Sequence, residues 1–299
     1  MINWQKYIIN FNFKELYAIF GGCFYETQMS MKIAVYTGKE EPNGGERVKT
    51  LLSKLEEAGV TLYNIEAGQT PQEDTDMLMS VGGDGTFLTA SMLVAQLGIP
   101  VVGVNLGRLG FLSENRPEDV ADALLSGDYT LENRTLLGAE LAERPGRKLY
   151  ALNEITVHRN GAAMLAVEVT LDGVTLPTYW ADGLIVSTSS GSTAYSLSAG
   201  GPIVLPDAKV LIITPISPHN LNVRPIIVPD NTSISLKVSS RDNEVVFTAD
   251  NRSEKVPEGT VVNISLAQFS LKRVRLNKYD FINALTEKLY WGEDVRNIK

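Results

Sequence analysis

The chain has 299 residues, of which 44% are hydrophobic and 21% charged, a balance typical of a globular protein large enough for two domains. It contains no run of about 18 apolar residues, which argues against a membrane-spanning helix. The formal net charge of -8 argues against bulk nucleic-acid binding, and the single cysteine, Cys23, excludes an internal disulfide and indicates a reducing, cytoplasmic location.

The first thirty residues differ in pattern from the rest of the chain. They mix aromatic, asparagine and charged residues, and they lack the apolar run and small-residue cleavage site of a secretory signal. A clear strand pattern begins only at Met31. We therefore expect residues 1–30 to be a leader outside the core fold, loosely packed or read from an upstream start codon.

Residues 31–134 alternate between strand and helix patterns. Strands are predicted at Met31–Thr37, Val60–Asn64, Met77–Val81 and Pro100–Val104, and helices at Gly45–Ala58, Thr86–Gln96 and Glu118–Leu125. Such alternation predicts a parallel sheet with right-handed crossovers, that is, a Rossmann-like α/β domain. Ligand-binding loops of such sheets lie beyond the carboxyl ends of the strands.

Residues 135–277 have a different pattern, with short strands separated by turn signals. The predicted strands are Leu149–His158, Leu165–Leu171, Gly183–Thr188, Val210–Thr214, Thr232–Val238, Glu244–Ala249, Val261–Leu266 and Leu271–Leu276. This part is predicted to form a β-rich sandwich domain. Residues 278–299 are predicted to form a terminal helix, Phe281–Tyr290, which returns to the N-terminal domain, and a tail.

The segment Gly82-Gly83-Asp84-Gly85-Thr86 directly follows a predicted strand. Its glycines allow backbone N–H groups to turn toward a ligand, and the N-terminus of the next helix favours negative charge there. A carboxylate beside phosphates is useful if it holds a metal ion or removes a proton from an attacking hydroxyl. The alternative is a tight turn in which Asp84 caps the helix.

Two later segments also carry hydrogen-bonding groups. Asn153 suits an adenine edge or a ribose, and Glu154 can accept hydrogen bonds from two vicinal hydroxyls. The run from Gly183 to Gly201 is dense in serine, threonine and glycine, and the ring of Tyr195 can stack on a base. The alternatives are a polar pair at the start of a strand and a glycine-rich turn before a capped helix.

Taken together, these segments resemble the NAD kinase family. The GGDGT segment is shared with diacylglycerol-type lipid kinases and, more distantly, with 6-phosphofructokinases. NAD kinases are favoured by Leu152-Asn153-Glu154, by Asp182-Gly183 through Ser192–Ile203, by Thr214–Leu221 with Arg224-Pro225, and by Asn105–Leu112. The resemblance covers about Met31 to Gly292.

The resemblance implies that the chain transfers the γ-phosphate of ATP to the 2′-hydroxyl of the adenosine ribose of NAD, with a divalent ion, Mg²⁺, carried by ATP. It implies that Asp84 is the catalytic base. The candidate substrate-binding residues are Gly82, Gly83, Gly85, Thr86, Phe87, Asn153, Glu154, Asp182, Ser190, Thr193, Ala194, Tyr195, Ser196, Leu197 and Ser198. His219 and Arg108 are secondary candidates, and no residue is expected to be a dedicated metal ligand. The expected partners are NAD, ATP and further copies of the chain, as a dimer or tetramer, with no nucleic acid and no membrane.

Two other functions compete with this interpretation. A lipid or sphingoid-base kinase would share GGDGT but need an apolar channel for its acyl chain, whereas Asn153, Glu154 and the hydroxyl-rich run suit a polar substrate. A non-catalytic dinucleotide-sensing protein would bind NAD without consuming ATP, and Asp84 argues against it.

Two segments depart from the motifs of the NAD kinase family. Asp250-Asn251-Arg252 stands where Asp-Gly-Gln is common in the family, and Ser189-Ser190 stands where many members have Pro-Thr.

Overall fold

The computed structural model describes residues 31–38, 45–107, 110–278 and 280–291. The predicted leader at residues 1–30, Arg108 and the tail beyond Trp291 lie outside these residues. The helices are α1 (Gly45–Glu57), α2 (Asp84–Val94), α3 (Pro117–Ser126), α4 (Tyr195–Ser198) and α5 (Phe281–Leu289), with 3₁₀ turns at Ala95–Leu97 and Ser190–Thr193. No helix of the described ranges is long and apolar enough to cross a membrane.

Nineteen strands are described, and they form three sheets. In the first half of the chain they are β1 (Lys32–Thr37), β2 (Thr61–Asn64), β3 (Met77–Val81), β4 (Val101–Val104), β5 (Tyr129–Arg134), β6 (Leu137–Leu141), β7 (Lys148–Ala151), β8 (Glu154–Arg159), β9 (Leu165–Leu171) and β10 (Val174–Thr175). The remainder are β11 (Tyr179–Ala181), β12 (Gly183–Thr188), β13 (Val210–Ile216), β14 (Ile226–Pro229), β15 (Ile234–Ser239), β16 (Glu244–Ala249), β17 (Arg252–Pro257), β18 (Val261–Leu266) and β19 (Leu271–Leu276).

The first sheet has the order β2-β1-β3-β4-β19-β5, and all of its pairings are parallel except that of β19 with β5. Apolar residues of α1 and α3 pack on one face of it, and those of α2 pack on the other. Helix α3 begins with Pro117 at its first position and ends at Gly127, whose φ of 73° is left-handed. The predicted Rossmann-like α/β domain is confirmed.

Strand β19 joins this first sheet, although the sequence analysis places Leu271–Leu276 in the β-rich part, residues 135–277. It lies between β4 and β5, with Arg273 opposite Val101 and Glu132. Leu271, Val274 and Leu276 are buried in this position, whereas they would be exposed if β19 lay at the free edge of a sheet. Without β19, strand β4 would be an unpaired edge of the α/β domain, so the two strands pair. The local sequence pattern predicts that these residues form a strand, but it does not show which strand they pair with.

The β-rich part forms a sandwich of two antiparallel sheets, as predicted. One has the order β10-β9-β15-β18-β6-β7, with β11 also paired to β9, and the other β14-β13-β12-β8-β16-β17. Alternate apolar side chains of both sheets interdigitate in one continuous cluster, which includes Ile155, Val186, Leu236 and Phe247. The predicted single strand Leu149–His158 is interrupted after Ala151, because the next backbone N–H groups bond to a side chain instead of a strand.

Helix α5 returns to the α/β domain, as expected from the sequence. Asp280 caps it by accepting a hydrogen bond from the N–H of Asn283 at 2.8 Å. The ring of Phe281 lies 5.9 Å from that of Phe111, and the ammonium group of Lys288 lies 3.8 Å from the Phe111 ring centroid. The helix therefore covers the loop that follows β4.

Candidate functional site

The GGDGT segment forms the turn between β3 and α2, at the carboxyl end of the parallel sheet. Gly82 has a φ of 146°, and a Cβ atom there would lie 2.5 Å from Thr86 Oγ1, so this turn requires glycine. Gly83 is the N-cap residue, and no side chain caps the helix. Asp84 is therefore the first residue of α2 and not its cap, so the alternative in which Asp84 caps the helix is wrong.

The Asp84 carboxylate is held by the loop that follows β4. Its Oδ2 accepts a hydrogen bond from the N–H of Phe111 at 2.9 Å, and its Oδ1 accepts from those of Leu112 at 3.1 Å and Ser113 at 2.9 Å. A Cβ atom on Gly110 would lie 1.8 Å from Oδ1, so only glycine admits the carboxylate this closely. Since a carboxylate offers about four acceptor positions, one on Oδ2 stays available to a substrate hydroxyl.

Asn153 and Glu154 are positioned by Asp250, a residue that the sequence analysis did not select. The Asp250 carboxylate accepts hydrogen bonds from three successive backbone N–H groups, those of Leu152 at 2.8 Å, Asn153 at 2.8 Å and Glu154 at 3.2 Å. Asp250 has a φ of 52°, in the turn between β16 and β17. An Asp-Asn pair between two strand patterns was the available signal, because both residues tolerate the left-handed conformation.

The neighbour of Asp250 connects this turn to the GGDGT helix. Asn251 Nδ2 donates to Thr89 Oγ1 at 2.9 Å and to the Gly85 carbonyl at 3.4 Å. One two-residue turn thus contacts both the first turns of α2 and the Asn153-Glu154 pair. This turn therefore links the helix that bears Asp84 to the Asn153-Glu154 pair.

The hydroxyl-rich segment packs directly against Asn153. Thr188 Oγ1 donates to the Leu152 carbonyl at 2.6 Å, and the Thr188 N–H donates to the Asn153 carbonyl at 2.9 Å. A Cβ atom on Gly191 would lie 2.1 Å from the Asn153 carbonyl oxygen, so the close approach needs glycine. Asn153, Glu154 and the 3₁₀ turn that precedes Tyr195 therefore form one compact unit.

The predicted hydroxyl donors differ in their availability. Ser196 is buried, and its Oγ bonds to Thr214 Oγ1 at 2.9 Å, so its role is internal. Thr193 Oγ1 donates to the Ser190 carbonyl at 3.4 Å. Tyr195 is 42% exposed and Ser198 is also exposed, so both can reach a ligand. Ala194 and Leu197 are half-buried beside them, and Phe87 is buried in the core beneath α2.

Glu154 is the most strongly perturbed carboxyl group of this region. Burial and the nearby Asp250 carboxylate raise the pKa of Glu154 to about 8, against the opposing effect of the Tyr195 backbone N–H. Burial also raises the pKa of Asp250, although its three N–H donors oppose that shift. Glu154 Oε2 is buried and has no hydrogen-bond partner among the described residues. An unsatisfied buried carboxylate oxygen is typical of a ligand-binding position.

The raised pKa of Glu154 predicts how stability depends on pH. The folded protein keeps this proton to about pH 8, whereas the unfolded chain releases it near the ordinary value of 4.5. At a pH between these two pKa values, unfolding releases the proton of Glu154. The free energy of unfolding therefore falls as the pH rises through this range. In thermal melts from pH 5 to 8, E154Q should lose less stability than wild type. The exposed control E57Q should keep the wild-type profile, and parallel profiles for wild type and E154Q would contradict the prediction.

Two predicted residues, Asp182 and His219, are not brought to this region. Asp182 forms an ion pair with Arg159 at 3.2 Å. Ser187 lies opposite Glu154 in the sheet, so Asp182, five residues earlier on extended chain, is about 17 Å away. The exposed His219, whose N–H donates to the Trp180 carbonyl at 2.8 Å, is at the same distant end. Arg108 lies outside the described residues.

Comparisons with known proteins show what the chain is similar to. A model of the ATP-NAD kinase N-terminal domain matches residues 27–127, and a model of the ATP-NAD kinase C-terminal domain matches residues 152–276. The chain is 42% identical over 259 residues to the NAD kinase of Flavobacterium psychrophilum, covering 84% of this chain and 88% of the relative. It is 39% identical over 289 residues to that of Porphyromonas gingivalis, covering 89% and 99%.

Two solved structures are similar over most of the chain. The structure of yeast NADH kinase complexed with NADH has a TM-score of 0.79 and 26% identity, and the match covers 90% of each chain. The structure of an NAD kinase from Archaeoglobus fulgidus in complex with ATP has a TM-score of 0.68 and 28% identity, and the match covers 83% of this chain and 95% of that one.

Proposed function

Because the chain belongs to the NAD kinase family, we propose that Asp84 is the general base of its phosphoryl transfer. NAD kinases transfer the γ-phosphate of ATP to the 2′-hydroxyl of the adenosine ribose of NAD and so form NADP. That hydroxyl is a weak nucleophile at neutral pH, and a positioned base accelerates such steps by about 10²- to 10⁴-fold. Asp84 takes the hydroxyl proton, the oxygen attacks the γ-phosphorus, and ADP leaves.

The observation that carries this role is the fixed carboxylate of Asp84. Three backbone N–H groups orient it, and one acceptor position on Oδ2 stays available for the ribose hydroxyl. Rigid placement of a base reduces the reorganisation needed at the transition state. The turn at Asp250-Asn251 supports the same arrangement, since it ties the helix that bears Asp84 to Asn153 and Glu154.

The same proposal assigns the acceptor-binding groups. Asn153 and Glu154 fix the adenosine part of NAD, with the unpartnered Glu154 Oε2 forming a hydrogen bond with a ribose hydroxyl or the base. The exposed ring of Tyr195 stacks on the adenine, and Ser198 and Thr193 supply hydroxyls. The similar structure of yeast NADH kinase is complexed with NADH, which supports a dinucleotide as the ligand of this chain.

A divalent ion is part of the proposed reaction. The described residues contain no group of three His, Cys, Asp or Glu side chains that could hold a metal ion. In kinases Mg²⁺ is commonly bound by substrate phosphates with one or two carboxylates, so the proposal needs no larger group of protein ligands. When bound, Mg²⁺ neutralises charge that develops on the transferred phosphoryl group.

The cell compartment and assembly complete the proposal. A cytoplasmic location is supported by the presence of a single cysteine in the chain. A dimer or tetramer is supported by the exposed Trp180, Leu221 and Ile227 of the β-rich part.

The proposed function is tested by incubating the full chain with NAD, ATP and Mg²⁺ and measuring NADP with an NADP-specific dehydrogenase. We expect NADP formation that depends on all three. Parallel reactions with NADH as acceptor and with inorganic polyphosphate as donor define the specificity. Phosphorylation of diacylglycerol but not of NAD would instead indicate a lipid kinase, and NAD binding without ATP consumption would indicate a sensing protein.

A further inference from the structure

Helix α5 presents a lysine on the face that packs against the α/β domain. Phe281, Ala284, Leu285 and Lys288 are spaced three or four residues apart, so they lie on one face of the helix. Ala284 and Leu285 are buried, and Phe281 and Lys288 are half-buried. Burial of an ammonium group is unfavourable unless something compensates for the lost hydration. The lysine at this position therefore needs a compensating contact.

That contact is with the ring of Phe111, in the loop that follows β4. The Lys288 ammonium lies 3.8 Å from the centroid of this ring, and the Phe281 ring lies 5.9 Å from it. Among the described residues, no carboxylate forms a salt bridge with Lys288. The last turn of a helix also favours a cation, but an exposed lysine would meet that preference equally well. The Phe111 ring is thus held by two side chains of α5.

Phe111 connects this contact to the proposed general base. Its backbone N–H donates to Asp84 Oδ2 at 2.9 Å, the oxygen with an acceptor position left for the substrate hydroxyl. A side chain that is fixed at its ring restricts the backbone of the same residue, and so the direction of that N–H. The N–H groups of Leu112 and Ser113 orient the other oxygen, Oδ1. Lys288 therefore acts on Oδ2, through one intervening residue.

The charged groups that act on Lys288 belong to other elements. Burial is the largest effect and lowers the pKa of Lys288, whereas the carboxylates of Asp84 on α2 and of Glu114 after β4 oppose that shift. The guanidinium of Arg273 on β19 lowers the pKa of Lys288 further. The ammonium is therefore attracted by both carboxylates, and it loses its proton at a lower pH than an ordinary lysine.

We propose that Lys288 is a positioning residue of the phosphoryl transfer. Its ammonium fixes the Phe111 ring, and the N–H of Phe111 in turn fixes Asp84 Oδ2 for the proton of the substrate hydroxyl. This role rests on the proposed function, in which Asp84 is the general base. Misplacement of a catalytic group lowers the rate of the chemical step and leaves substrate binding intact. Loss of the Lys288 charge should therefore lower kcat without raising the KM values.

The test begins with steady-state kinetics of three variants. K288M keeps the length and the apolar stem of the side chain but removes its charge, and K288R keeps the charge. The control K272M removes an exposed lysine from β19. We expect K288M to lower kcat for NADP formation about tenfold, with the KM values for NAD and ATP changed by less than about twofold. K288R should keep at least about half of the wild-type kcat, and K272M should match wild type.

The dependence of kcat on pH gives a readout that a purely structural lysine would not affect. With NAD and ATP saturating, wild-type kcat should fall as the pH rises from 8 to 10, because the neutral amine no longer attracts the Phe111 ring. Arginine stays charged over this range, so K288R should keep its kcat to a higher pH, and K288M should stay low and flat. Saturating NAD prevents the titration of Glu154, whose pKa is about 8, from acting through the KM.

Amide hydrogen exchange at Phe111 tests the contact without any turnover, and so separates it from the proposed function. K288M should speed the exchange of this N–H at least about fivefold, whereas K288R and K272M should leave it unchanged. Faster exchange in a protein that makes no NADP would support the contact and contradict the proposed function. F111L serves if K288M has a lowered melting temperature, and it should lower kcat to the same extent, with no further loss in the double variant.

Several outcomes would overturn the proposal. One is a kcat of K288M within about twofold of wild type, and another is an equal loss in K272M, which would indicate a bulk effect of charge. A raised KM for ATP or NAD with kcat unchanged would indicate that Lys288 contacts a substrate instead. Unchanged exchange at Phe111 in K288M, or an alkaline fall of kcat that is the same in K288R as in wild type, would also contradict the positioning role.

Discussion

Replacement of Asp84 by asparagine is expected to lower the turnover number for NADP formation at least about a hundredfold, because the variant cannot accept the hydroxyl proton. The amide oxygen of the substituted side chain can still accept from Leu112 and Ser113, whereas its NH₂ group opposes the Phe111 N–H. We therefore expect a modest loss of stability, about 1–3 kcal/mol, and near-normal binding of NAD. Steady-state kinetics, calorimetry with NAD and a thermal melt measure the three quantities.

The control for D84N is D74N, which removes a carboxylate whose side chain is 74% exposed and pairs with Lys32 at 2.8 Å. It should keep wild-type turnover. Turnover of D84N within a factor of about ten of wild type would rule out general-base catalysis by this residue. A large loss of NAD binding in D84N would show that Asp84 acts mainly by positioning the loop after β4.

Replacement of Asp250 by alanine is expected to lower the free energy of unfolding by about 3–5 kcal/mol and to raise the KM for NAD at least about tenfold. The variant leaves the N–H groups of Leu152, Asn153 and Glu154 without an acceptor, so the pair that we propose fixes the adenosine loses its support. Alanine is also strained at the left-handed φ of 52°. Denaturant unfolding and steady-state kinetics give both values.

The control for D250A is D172A, since Asp172 also has a positive φ, of 47°, and accepts a backbone hydrogen bond, from Ser233 at 2.9 Å. It lies at a turn of the other sheet of the sandwich, so its loss should affect stability by about 1 kcal/mol and leave the KM for NAD unchanged. D250N keeps one acceptor oxygen and tolerates the left-handed turn, so an intermediate effect is expected. An unchanged KM for NAD in a folded D250A or D250N would contradict the positioning role of Asp250.

The local pattern of the sequence was sufficient for the fold class and for most of the parallel sheet. Buried strands such as Met77–Val81 are apolar throughout, and Pro117 and Gly127 mark the ends of α3. The family was recognisable because its motifs are short, contiguous and in a fixed order. Asp84 was found for the same reason, since it stands between the glycines of one such motif.

Long-range pairing, in contrast, was decided by the tertiary structure. Strand β19 pairs with β4 and β5, more than one hundred residues earlier, because that edge buries its apolar residues. The sequence did not show that Asp182 lies at the far end of its strand from Glu154, since the distance depends on the register of β12 against β8.

The sequence thus determined which chemical groups are present, whereas the fold determined their hydrogen-bond and ion-pair partners. The motifs supply carboxylates at positions 84 and 154. The backbone N–H groups of residues 111–113 orient the Asp84 carboxylate, and the turn at 250–251 holds the backbone of Asn153 and Glu154. Arg134, Arg273 and Arg275 stand on two strands and share Glu132 only because β5 and β19 pair. Hydrogen bonds and ion pairs act over a few ångströms of space, whereas sequence patterns report only neighbours along the chain.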